Sequence, residues 1–203
     1  MERRQVSSRS NGLIQGVATW LARTDISANQ ISAFSILASL AVPAGLFGLD
    51  GWPAVIVALV GIQLRLLANV IDGLVAVEGG KASPVGALYN EFPDRIADSI
   101  IFVSMGYAVQ CDWLGWLCAL LAAFTAYIRV FGGALGQPQV FGGPMAKQHR
   151  MAIASIGLIA GAVFAPWCPA QLTWQVALVV IALGSAMTCV TRTVGIVKRL
   201  EGA

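Results

Sequence analysis

Apolar residues run almost without interruption through six stretches of the chain, 31–49, 52–71, 87–109, 113–130, 151–167 and 172–197. Each is close to the length at which a helix crosses a bilayer. Ahead of them the pattern changes: Leu13, Val17, Trp20 and Leu21 recur at i, i+4, i+7 and i+8, behind Ser8 and Ser10 as capping residues. That spacing predicts an amphipathic helix over 12–24, lying on the membrane surface, packed on the bundle, or both. Asp25-Ile26-Ser27-Ala28-Asn29 then turns the chain into the first span. The expected architecture is all-α: a single membrane domain over 1–203, with an interfacial helix followed by a bundle of six transmembrane helices over 29–200.

Composition agrees with this reading. Hydrophobic residues make up 57% of the 203 and charged residues only 11%, and the mean hydropathy is +0.75. Residues 1–11 are charged and polar, so no cleavable signal is expected there. Basic residues fall on one side of the spans: Arg3, Arg4, Arg9 and Arg23 before the first, Lys81, Arg95, Lys147 and Arg150 between later ones, and Lys198 and Arg199 at the end. The opposite connections contain no Lys or Arg, and Trp52, Trp113, Trp116, Trp167 and Trp174 gather near them as an interfacial belt. Both termini are therefore expected in the cytoplasm, and the Ala/Gly-rich, positive-inside pattern suits a bacterial inner membrane. The net charge of +3 follows from that topology, and no basic stripe with interleaved aromatics points to nucleic acid. Cys111, Cys118, Cys168 and Cys189 lack metal-ligand spacing and are expected to be packing thiols, with a Cys111–Cys168 disulfide as the less favoured alternative.

One stretch breaks the apolar pattern. Asn69, Asp72 and Ala76 share a helix face, with Gly73 beside them, before the breaker Gly79-Gly80-Lys81. Beyond it Gly86, Asn90, Asp94 and Asp98 step by four, with Glu91 in the same arc. Asp98 lies roughly 12 Å further along its helix than Asn90, well inside an apolar run. Two polar faces meeting across a tight turn place ionised groups where only pairing, a cavity or a bound ion makes them tolerable. Arg65, four residues before Asn69, lies on the same face and calls for Asp98, Glu91 or a bound anion as its partner. The longest connection, 131–150, has two Phe-Gly-Gly units and two prolines and is expected to be non-helical. Its flanking cations Arg129, Lys147 and Arg150 either obey the topology rule alone or frame an anion site.

Oxygen ligands from two adjoining helices suit a hard divalent ion. Such a site, opening to the cytoplasm beside glycines, fits phosphoryl transfer on a membrane substrate.

Asp72-Gly73-x2-Ala76-x9-Gly86-x3-Asn90-x3-Asp94 resembles the signature of the CDP-alcohol phosphotransferase family, D-x2-D-G-x2-A-R-x8-G-x3-D-x3-D, with matching spacing at every element. The six-span pattern, the amphipathic first helix and the basic loop before the fifth span are similar too. Three positions depart: the family's first Asp is Asn69 here, its third is Asn90, and its Arg is Val77. The chain thus resembles a divergent branch with NxxDG and NExxD.

The resemblance implies a transferase that moves a phosphatidyl group from a CDP-linked lipid, most simply CDP-diacylglycerol, to a small alcohol, with release of CMP. It implies one or two Mg²⁺ or Mn²⁺ ions held by Asn69, Asp72, Asn90 and Asp94, with Glu91 and Asp98 restoring lost charge. The nucleotide is expected against Asp72, Gly73, Ala76 and Gly86. Asp94 is the expected base towards the acceptor hydroxyl, and Arg65, Arg129, Lys147 and Arg150 are expected to hold phosphate or an anionic acceptor, with Arg65 or Lys81 standing in for the missing Arg. A homodimer is implied as well. Two other readings stay open: a catalytically inactive member that binds nucleotide-lipid, and a small transporter using the acids as an ion path.

Overall fold

A computed structural model describes residues 12–77, 79–81 and 83–202. Ser8, Ser10, Arg3, Arg4 and Arg9 lie outside the described residues. Among those described, the structure is helical throughout: α1 (Gly12–Ala22), α2 (Ala28–Ser39), α3 (Ala41–Gly48), α4 (Gly51–Val77), α5 (Gly86–Ala108), α6 (Asp112–Ala134), α7 (Lys147–Phe164) and α8 (Ala170–Leu200). Four runs, Ala28–Gly48, Gly51–Val77, Asp112–Ala134 and Ala170–Leu200, are long and apolar enough to cross a membrane. The charges that α5 carries at Glu91, Asp94, Arg95 and Asp98 set it apart from these.

Apolar residues face outward as well as inward. On α8, Leu178 and Ile181 are fully buried whereas Leu183 is 68% and Val190 62% exposed. A helix apolar on all sides belongs in a bilayer, where the outer face meets lipid. The inner face is built from small residues and close approaches. Gly61 of α4 lies against the Ala38 carbonyl and Ala41, and Gly106 of α5 lies against the backbone of Gly115 on α6. Between these last two helices the chain reverses over 109–111, with Gln110 in the left-handed region at φ 55°. The core that results joins Val42, Ile62, Ile101, Phe102, Met105, Leu114, Met151, Leu158 and Ile181.

Several details differ from the sequence reading. The first span breaks at Leu40, whose backbone is the end of α2 and the start of α3. The second helix runs on to Val77, so Asn69 to Ala76 continue it without interruption. Phe131, Gly132 and Gly133 remain helical, because Gly132 packs beneath Ile196 and helix geometry persists to Ala134. Lys147, His149 and Arg150 begin α7 rather than lying in a loop. Arg95 likewise sits inside α5. Trp174 is buried, packed against the glycine surface at Gly161, so it does not join Trp52, Trp113, Trp116 and Trp167 at the exposed surface. All four cysteines are free thiols.

The α1 helix packs on α4 through Ile14, Ala18 and Leu21, which meet Leu74 and Val75. Leu13, Val17 and Trp20 point away and stay exposed. Leu21 therefore belongs to the bundle side, and the other three form a separate outward stripe. Ser27 caps α2 in a reciprocal box with Gln30. Lys81 donates to the carbonyls of Thr24 and Ile26, closing the α1–α2 corner onto the α4–α5 turn. It does not stand in for the missing Arg. Gly80 takes φ 63° in that turn, a conformation glycine adopts without strain.

The Gly106–Gly115 approach leaves no room for a side chain: a Cβ on Gly115 would lie 2.6 Å from the Phe102 carbonyl oxygen. Gly115→Ala is expected to cost about 1–3 kcal/mol, read as a lower thermal midpoint of the detergent-solubilised protein. Gly48→Ala, where a Cβ meets nothing within 4 Å, is the matched control and is expected to leave that midpoint in place.

Candidate active site

Three helices converge here with paired polar residues one turn apart. On α4 these are Arg65 and Asn69, on α5 Asp98 and Asp94, and on α7 Arg150 and Lys147. Since α4 runs opposite to α5 and α7 in this register, the pairs stack as two layers. In the deeper layer Asp98 accepts from Arg65 on Oδ1 and from Arg150 on Oδ2, the latter at 3.2 Å. Arg150 also donates to Thr125 Oγ1 at 3.2 Å and to the Met145 carbonyl at 3.0 Å. Arg65 is fully buried.

In the shallower layer Asp94 is the hub. Lys147 Nζ lies 2.5 Å from both of its carboxylate oxygens, and Asn69 Nδ2 donates to Oδ1 at 2.9 Å. Arg65 Nη2 reaches the same Oδ1 at 3.5 Å, linking the layers, while Arg95 Nη2 reaches Oδ2 at 3.5 Å. One turn further out, Glu91 accepts from Arg129 at 2.5 Å and from Arg95 at 3.1 Å. Arg129 also donates to Gln139 at 2.6 Å and stacks over Phe141, 4.7 Å from the ring centre. Asp72 stands apart, buried against α2, where Ser32 Oγ donates to it at 2.5 Å.

The expected residues thus divide. Asn69, Asp94, Asp98, Arg65, Lys147 and Arg150 form one bonded network, extended by Glu91 and Arg129. Asn90 is exposed at the start of α5, and Gly73, Ala76 and Gly86 are half-buried. Open space lies beside Gly86, where a Cβ would meet only Ser83 Oγ, at 3.6 Å. Glu91 and Asp98 do not gather with Asp72 and Asp94 into one acidic cluster, because each is drawn to arginines on its own layer. Among the described residues no three Asp, Glu, His or Cys side chains form a group that could hold a metal ion. Arg65 and Arg150 are spent on Asp98 inside the bundle rather than facing an opening.

Ser32, Arg95, Thr125 and Gln139 were not expected at the site. Arg95 carried a signal, its i+4 spacing from Glu91. Ser32, Ser35 and Ser39 also repeat at helical spacing in an apolar run. Nothing local in the sequence pairs Ser32 with a residue 40 positions away.

Buried charge makes this network sensitive to loss of one partner. Asp98→Leu leaves two buried guanidinium groups without their carboxylate and is expected to lower stability by about 3–5 kcal/mol. Adding Arg65→Met is expected to recover part of that loss. Thermal unfolding of both variants in the same detergent checks the order.

No family model matches the chain. It is 23% identical over 191 residues to the inner membrane protein YnbA of Escherichia coli, covering 91% of this chain and 93% of that protein. It is 26% identical over 142 residues to the phosphatidylinositol phosphate synthase of Streptomyces avermitilis, covering 66% of this chain and 58% of that one. With the archaetidylinositol phosphate synthase of Aeropyrum pernix it shares 28% identity over 151 residues, covering 73% and 74%. In fold it matches the solved phosphatidylinositol phosphate synthase of Mycobacterium tuberculosis with CDP-DAG bound, at a TM-score of 0.75 and 20% identity over 92% of this chain and 94% of that one. The same mycobacterial protein has been solved with manganese and citrate.

Proposed function

We propose that this chain, a member of the CDP-alcohol phosphotransferase family, transfers a phosphatidyl group from a CDP-linked lipid, most simply CDP-diacylglycerol, to a small alcohol in phospholipid synthesis. The observation that carries the reading is the convergence of the motif: Asn69 on α4 donates to Asp94 on α5, directly beside the ammonium of Lys147. A carboxylate hub ringed by cations at one end of a membrane bundle suits a diphosphate whose acyl chains stay between helices. On this reading α5 and α7 also cross the bilayer, giving six spans, with α1 in the interface and both termini cytoplasmic. The protein then works in a bacterial inner membrane as a homodimer.

The divalent Mg²⁺ or Mn²⁺ implied by the resemblance does not fit the residues as they stand. Two of the four motif carboxylates are amides. Asn69 turns an N–H, not its carbonyl oxygen, toward Asp94, and both Asp94 oxygens already hold an ammonium. Asp72, with Ser32 donating to it, is what remains of the ligand set. No step is therefore routed through an ion.

In the proposed reaction the acceptor hydroxyl attacks the lipid-side phosphorus and a new O–P bond forms. The bond to the CMP phosphate breaks, and Asp94 takes the hydroxyl proton. Asp72, Gly73, Ala76 and Gly86 line the nucleotide end, where the lack of bulk beside Gly86 admits a flat base. Arg129 and Arg95, which share Glu91 one turn beyond Asp94, are placed to receive an anionic acceptor such as a polyol phosphate. Arg65 and Arg150 hold Asp98 and through it the register of the three helices.

The test is CMP release from CDP-diacylglycerol by the purified protein, with glycerol 3-phosphate, inositol phosphate, serine, glycerol and choline as acceptors. One acceptor is expected to support release, and Asp94→Ala or Asp72→Ala to lower it by at least about 100-fold. Near-normal turnover in Asp94→Ala, or no release with any acceptor, overturns the assignment.

A further inference from the structure

We propose that the Lys147 ammonium occupies the place of a divalent ion in this protein, so that the donor's diphosphate is held by a built-in cation and transfer needs no free metal. The inference rests on the phosphatidyl-transfer reading and deepens it. Three observations carry it.

The first is the geometry at Asp94. Lys147 Nζ is 2.5 Å from both carboxylate oxygens, the two-oxygen embrace that a cation makes of a carboxylate. An ammonium has three N–H donors and no acceptor, and two of them are engaged here. The third is available to a phosphate oxygen. Lys147 keeps 21% of its side chain exposed, whereas Arg65 behind Asp94 has none, so an anion approaches from the lysine side.

The second is the donor set. The positions that would complete an oxygen cage are Asn69 and Asn90, neutral amides that bind a hard ion weakly. Asn69 commits its N–H to Asp94, which orients that amide as a donor. Such a site presents hydrogen where an ion needs oxygen lone pairs.

The third is charge. Five cations, Arg65, Arg95, Arg129, Lys147 and Arg150, are bridged to only three carboxylates, Glu91, Asp94 and Asp98. Buried guanidinium N–H groups remain over: those on Arg65 Nε and Nη1, Arg95 Nε and Arg150 Nε donate to no partner among the described residues. A cluster already cationic repels a divalent ion and attracts a dianion. The two Asp-to-Asn replacements and the lysine on Asp94 thus act together: each removes the need for an ion, and together they disfavour one.

In the transfer step the ammonium offsets the charge that collects on the departing CMP phosphate, the place where Lys suits phosphate as a compact point charge. As the diphosphate draws Lys147 over, Asp94 is released to take the acceptor proton.

The experiment has two arms on the purified full chain. Mn²⁺ binding is followed by its electron paramagnetic resonance signal for wild type and for the triple variant Asn69→Asp, Asn90→Asp, Lys147→Met. CDP-diacylglycerol binding is followed in EDTA and in Mn²⁺ for wild type, Lys147→Met and Lys147→Arg. The expected results are no saturable Mn²⁺ binding by wild type at micromolar concentrations and its appearance in the triple variant. Donor binding is expected to be equal with EDTA and Mn²⁺, at least tenfold weaker in Lys147→Met, and largely kept in Lys147→Arg. Stoichiometric micromolar Mn²⁺ binding by wild type, or donor binding that EDTA abolishes, overturns the proposal. Donor binding in neither condition instead sinks the transferase reading and the diphosphate role with it, while the wild-type Mn²⁺ titration still decides whether the lysine or an ion holds Asp94. The single Lys147 variants keep the test decisive if the triple variant does not fold.

Discussion

Asp98, held between Arg65 and Arg150 in the middle of an apolar bundle, is the constraint on which the rest of the arrangement depends. An ionised group at that depth persists only if it is paired, and here one carboxylate pairs with guanidinium groups from two different helices. Satisfying all three charges at once admits one register of α4, α5 and α7. One turn along each helix that register places Asn69, Asp94 and Lys147 together. The deeper layer is thus the template for the shallower one. Replacing such a network with apolar residues can leave stability unchanged or raise it, so its worth lies in specifying geometry rather than in net energy.

The helices that carry this network approach one another through glycine and alanine rather than by hydrophobic exclusion, which drives little association among lipid tails. Gly61 against α2 and Gly106 against Gly115 let backbones meet where a β-carbon would not fit. Close backbones shorten the reach that the polar side chains must cover, so small-residue packing and ion pairing are parts of one solution. The Arg192 side chain adds a clasp of the same kind at the other end of the site. It donates to the carbonyls of Thr125, Phe141 and Gly142 and ties the 135–146 connection to α6 and α8. That connection holds Gln139 and Phe141 against Arg129.

The electrostatic character that follows is unusual for a cluster built around a carboxylate motif. Four arginines and Lys147 convert Glu91, Asp94 and Asp98 into hydrogen-bonded ion pairs, and the surplus among these groups is positive. A phosphate-bearing ligand would meet donors rather than having to bring its own counterion.

Periodicity and composition missed the break at Leu40 and the helical start at Lys147, but they placed most of the helices, the breaker at Gly79-Gly80 and the shared face of Asp94 with Asp98. Each of those depends on neighbours within one or two turns, and local spacing encodes them. The motif's spacing also carried the resemblance to the CDP-alcohol phosphotransferases. What spacing does not encode is which cation meets which acid. Arg65 had three candidate partners and took two carboxylates, Asp98 and Asp94. Lys147 and Arg150, read as parts of a loop, belong to a helix whose first turn aims them inward. Ser32 reached Asp72 from a different helix altogether. These pairings are contacts between residues 25 to 53 positions apart. They are decided by the rotation and depth of one helix against another, quantities that exist only once small residues have set the distance between backbones and buried charge has chosen the register.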